Sequence, residues 1–162
     1  MDATSLRDAY RMLLDAAATL ADVADRPPTP PPGEWSAAQV LAHVSLVNAT
    51  TIAAVARVAS GVNTTYDNRT ALDTWTIDRV IALAGGHPGL RERIRIQGET
   101  LCGLVGPALS PAELDTPIPT LLLSGGAVLV NQPMPLRDIV RGLAEVELPG
   151  HSEQLLTLLG RR

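Results

Sequence analysis

A chain of 162 residues, 46% of them hydrophobic, is long enough to fold as one domain around a sizeable core. A formal net charge of -4 and a pI near 5.3 argue against a nucleic-acid partner, because tracking phosphates needs concentrated positive charge. A single Cys excludes an intramolecular disulfide framework. Residues 1–10 lack the basic-then-apolar layout of a signal peptide, and no uninterrupted apolar run reaches the roughly 18 residues that cross a bilayer. The expected address is the cytoplasm, with no membrane partner; the Asn-x-Thr triplets at Asn48, Asn63 and Asn68 are read as chance.

Residues 4–24 carry Leu6, Tyr10, Leu13, Leu14, Ala17, Leu20 and Ala21 at three- and four-residue steps, which predicts an amphipathic helix. Five prolines between Arg26 and Gly33 then forbid helix, since proline lacks the amide donor and clashes with the preceding turn. The next helix starts with a capping box, Ser36 with Gln39 three residues on, and Trp35 and Val40 are placed to staple it. It runs to about Ser60, with Val40, Val44, Val47, Ala54 and Val58 roughly on one side and Gly61 as its stop.

A polar link over 61–74 is long for neighbouring antiparallel helices. The third helical region, 75–108, is broken at Gly85-Gly86-His87-Pro88-Gly89 into a short helix and a long one, with Ile94, Leu101, Leu104 and Val105 facing the core. Two apolar runs around Ser124-Gly125-Gly126 predict a β-hairpin over 119–132. The last helix starts near Pro135 and runs toward Leu159, with Pro149-Gly150 expected to kink or restart it. The expected fold is all-α: one domain, 1–162, built as a four-helix bundle with a short hairpin before the last helix.

Three histidines bound the chemistry. His87 lies in a Gly-Pro loop and is expected in solvent. His43 lies on the second helix, and Glu147 and His151 stand four residues apart on the last, a spacing that lets a carboxylate and an imidazole reach one metal. His43 is about 10 Å along its helix at ~1.5 Å per residue. His151 and Glu147 are roughly 12 and 18 Å from the end of theirs, or roughly 24 and 18 Å from its start. An antiparallel pair of helices therefore levels His43 with His151, and a parallel pair does not. Spacing alone leaves two readings open, because a histidine on an apolar helix is more often a hydrogen-bonded core residue. Cys102, in an apolar stretch without a cationic helper, reads as structural. Arg91, Arg93 and Arg95 with Glu92 read as a solvated helix surface.

The run Trp35-Ser-Ala-Ala-Gln-Val-Leu-Ala-His43 resembles the start of the second helix in DinB-like bundles, where a Trp and a Ser or Thr cap precede the first metal-binding His. Within them, the chain is most similar to the mycothiol-dependent maleylpyruvate isomerase group. The resemblance implies an up-down-down-up bundle and a divalent metal, Zn²⁺ first and Ni²⁺ second, on His43, Glu147 and His151. It further implies an enzyme that uses a small thiol, mycothiol or bacillithiol, against an electrophilic substrate. Pro149 and Gly150 depart from the pattern by falling between two of the ligands. The isomerase also has a further C-terminal domain for which 162 residues leave no room. The competing readings are a homodimeric scaffold with a structural or vestigial metal and a binder of hydrophobic small molecules.

Overall fold

The computed structural model describes residues 2–23 and 30–160. It is mostly helical with one small three-stranded sheet. Helix α1, Thr4–Val23, buries Leu6, Tyr10, Leu13, Ala17 and Leu20 on its predicted stripe, whereas Leu14 is half-buried and Ala21 is exposed at its edge. Residues 26–29 of the proline-rich connector lie outside the described residues.

Helix α2, Ala37–Ala59, begins as its capping box requires: the Gln39 amide donates to Ser36 Oγ (3.3 Å), and the Ser36 amide donates to Gln39 Oε1 (2.9 Å). Among the described residues α2 alone is long and apolar enough to span a membrane. Its apolarity is spread among Ser, Thr, Asn and His rather than gathered in one run. Of that apolar window 61% is buried inside the fold, so core packing accounts for it.

The 61–74 link is more ordered than its composition predicts. It contains strand β1, Tyr66–Asp67, and a single helical turn α3, Arg69–Leu72. Elements of two and four residues carry no readable periodicity, and tertiary contacts make them. The Asn68 side chain donates to the Leu123 carbonyl and accepts from the Leu123 amide, both at 2.9 Å, clamping the link to a distant strand. Helix α4, Thr74–Ala84, is capped by Asp73, whose carboxylate accepts from the Thr76 amide (2.9 Å).

Gly85 and Gly86, at φ 75° and 80°, turn the chain into α5, His87–Gly103. The turn is tight: a Cβ on Gly89 would lie 1.7 Å from the Ala84 carbonyl oxygen. His87 thus opens a helix and is half-buried, contrary to the exposed loop expected, because the glycine turn folds it back onto the chain. Leu90, Ile94, Leu101 and Val105 are fully buried, while Leu104 is only partly so. A π turn, Leu104–Ala108, contains Pro107, and a short α6, Pro111–Leu114, leads into the sheet.

Strands β2, Pro117–Ser124, and β3, Ala127–Pro135, form the predicted hairpin around Gly125 and Gly126, both at positive φ. The sheet exceeds the prediction by one strand, because β1 pairs parallel to β2 (Tyr66 with Thr120). Between the pairs Leu122–Val130 and Leu123–Val128 the register shifts, so Leu129 is the extra residue of a β-bulge. Pro135 closes β3 rather than opening the last helix. That helix runs as α7 (Leu136–Gly142), a π segment (Leu143–Glu147) and α8 (Leu148–Gly160). α1 packs on α5 and α8, and α2 packs on α4, α5 and α8.

The π segment explains how a helix survives Pro149. In α geometry Pro149 offers no hydrogen to the carbonyl of Glu145 and presses its ring against it. Widening the preceding turn to π spacing moves that carbonyl aside, and the helix continues without a break.

Candidate metal centre

The three residues singled out from sequence meet. His43, the seventh residue of α2, is 3% exposed, and its Nε2 lies 2.8 Å from Glu147 Oε1. His151, one turn beyond Glu147, places its Nε2 3.2 Å from the same oxygen. The donor atoms lie within 4.8 Å of one another. Bonds of 2.0–2.1 Å to a tetrahedral zinc ion would set its ligands about 3.3 Å apart, so the donor set and its spacing fit a divalent ion. His43 and His151 rings are 4.8 Å apart between centroids, edge toward face, and the Trp35 ring lies 4.9 Å from that of His43. Trp35 therefore walls the centre as well as packing at the start of α2.

Each imidazole is oriented from behind. His43 Nδ1–H donates to the Ala71 carbonyl on α3 (2.8 Å), and His151 Nδ1–H donates to Gln154 Oε1 (2.9 Å). These bonds leave both Nε2 atoms aimed at one carboxylate oxygen, an approach that needs either a proton or a cation between each pair. Neither partner was found from sequence. Gln154 was within reach, three residues past His151 on one helix face; the Ala71 carbonyl carried no sequence signal.

Burial alone would raise the Glu147 carboxyl. Hydrogen bonds from His151 and His43, with the charge on both rings, outweigh it and hold the group well below the usual carboxylate range. Burial opposes charging His151, but the hydrogen bond and charge of Glu147, with Gln154 behind, raise its pKa above the ordinary 6.5. Tyr66 is 5% exposed beside Glu147 and is pushed up to about 12 by burial, while its hydroxyl is hydrogen-bonded to Thr51 Oγ1 (3.0 Å).

A cavity of about 490 Å³ opens onto the centre, walled by the hairpin, the link and the last helix. A larger open groove of about 950 Å³, between the end of α2 and the start of β2, contains none of the three residues. The other candidates stay outside. Cys102 is buried and its thiol is raised by that burial, as expected of a structural residue. Half-buried His87 is lowered by burial and by Arg91. Arg95 forms exposed pairs with Glu92, as expected, and with Glu99, whereas Arg91 and Arg93 are half-buried rather than on a solvated surface.

No protein-family model matches the chain, nor does any curated protein or solved structure.

Proposed function

We propose that this protein is a DinB-like four-helix bundle that holds a divalent ion, Zn²⁺ before Ni²⁺, on His43, Glu147 and His151. In this reading α1, α2, α5 and the α7–α8 rod are the four helices of an up-down-down-up bundle. The chemistry is transfer or isomerisation with a small thiol, mycothiol or bacillithiol, against an electrophile, in the cytoplasm. His43, Glu147 and His151 would hold the ion, which would supply Lewis acidity and lower the pKa of a thiol bound to it. The residues of the chain do the rest. Ala71 and Gln154 fix the ring orientations, Glu147 balances part of the charge, and Trp35 and the hairpin limit access of water. The observation that carries the reading is the convergence of both Nε2 atoms on one carboxylate, with each Nδ1 held from behind.

A second reading has its own support. The short contacts at 2.8 and 3.2 Å are satisfied by protons alone, so the cluster also works as a buried ion-paired strut in a non-catalytic, homodimeric scaffold. Metal content separates the two. Protein purified without a His tag is expected to retain near-stoichiometric metal by plasma mass spectrometry, and His43→Ala to lose it while keeping its helical circular dichroism. Parent protein that is metal-free and ignores added Zn²⁺ selects the scaffold. If metal binds, isothermal titration with mycothiol and bacillithiol tests the thiol; silence from both removes the transferase.

A further inference from the structure

We infer that the cavity beside the centre binds an uncharged, apolar small molecule and rejects carboxylates, dicarboxylates above all. Its role as the electrophilic substrate rests on the thiol-transfer reading above; its binding does not.

The walls carry the argument. Leu72, Leu122, Leu129, Met134, Ile139 and Val146 give the cavity a largely aliphatic lining from three separate parts of the chain. A volume of about 490 Å³ is within the range of small-ligand sites. Among the described lining residues none is Arg, and the chain has no Lys. The charged groups beyond the centre's own histidines are Glu147 and Asp138, both acidic. Away from the centre, a carboxylate entering this space would leave water, meet no Arg or Lys among these lining residues and face Asp138.

Charge arithmetic at the centre bears on dicarboxylates in particular. A divalent ion and the Glu147 carboxylate leave a single positive charge, which one ionised donor neutralises. A second anionic group has nothing to pair with.

Three polar side chains of the walls are already engaged. Asn68 spends its side-chain amide on both backbone groups of Leu123, and Tyr66 is bonded to Thr51. Asp138 lies 3.4 Å from Arg141. Recognition is left to shape and apolar contact. Leu129 and Val146, at the mouth, are 65% and 71% exposed, and the β-bulge leaves Leu129 out of the strand register. These are apolar surfaces that water touches now and a guest would cover.

N-phenyl-1-naphthylamine, a neutral dye that brightens in apolar surroundings, tests this. Parent protein is expected to bind one equivalent saturably, both zinc-loaded and in the presence of a chelator. Neutral 4-phenyl-3-buten-2-one should displace the dye, and fumarate at a hundredfold higher concentration should not. Val146→Arg, on the helix, and Leu129→Arg, on the hairpin, should each weaken the dye at least tenfold and admit cinnamate, with folding checked by circular dichroism. Two independent positions guard against one variant that fails to fold. Absence of saturable dye binding, displacement by fumarate as effective as by the neutral ketone, or folded arginine variants that bind like the parent would each overturn the assignment. Zinc retention, measured on the same parent sample, reports separately on the metal reading.

Discussion

Glu147 is the residue on which the centre turns, since both histidines point at one of its oxygens. Its depressed pKa and the raised pKa of His151 have opposite consequences for stability. A carboxyl held below its ordinary 4.5 contributes stability that is present above 4.5 and lost as pH falls through the folded value. An imidazole held above its ordinary 6.5 contributes stability that is full below 6.5 and lost as pH rises through the folded value. The metal-free protein should therefore gain most from this cluster between about pH 4.5 and 6.5. Thermal melts with chelator present should show a higher midpoint at pH 5.5 than at pH 8. His151→Gln should flatten that difference; an unchanged pH profile in the variant would mean that the slope arises elsewhere.

Two elements set the geometry around these side chains, and each can be perturbed alone. Where α1 crosses α5, a Cβ on Gly98 would lie 2.9 Å from the Tyr10 ring, which is buried and hydrogen-bonded through its hydroxyl to Asn48 (2.7 Å). Gly98→Ala gains about 1 kcal/mol in helix propensity, but overpacking of this kind costs about 1–3 kcal/mol. A net loss of stability is expected by urea denaturation, and a gain would show that the ring has room to move. In the last helix, the π segment before Pro149 rotates Glu147 against α7 by about 100°, the turn of one helical residue. Pro149→Ala removes the reason for the widening. Relaxation to α spacing is expected to weaken zinc at least threefold in a competitive chelator titration, with thermal stability held or raised. Sequence predicts a kink or restart at this proline, and the structure has a π turn immediately before it. The long helices, the capping box at Ser36 and the turn at Gly125-Gly126 were legible because periodicity, caps and glycines are local signals. Strand β1 and helix α3 were not, because two- and four-residue elements are made by partners such as Leu123, over fifty positions away in sequence. The site was legible for a related reason. Counting rise per residue levels the histidines on two predicted helices only if those helices run antiparallel, and the family resemblance implied that choice, whereas the carbonyl of Ala71 behind His43 required knowing where the link goes.

At the scale of the molecule, an ion held on these three residues would join parts of the chain more than a hundred residues apart. Anything that binds only the folded state stabilises it by RT ln(1 + [L]/Kd), about 2.7 kcal/mol at a hundredfold excess over Kd. For a chain of this length that is a rise in Tm of roughly 5–10 °C. Differential scanning fluorimetry should record it on adding zinc to the parent and miss it in His43→Ala; equal shifts in both would place the ion elsewhere. The clamp of Asn68 on Leu123 has an effect that reaches beyond the sheet. Asn68 and Ala71 are separated by little more than the single turn of α3, so the strand roofing the cavity and the carbonyl holding His43 ride on one stiff crank. A guest that displaced Leu123 would pull, through Asn68, on the segment whose carbonyl orients His43.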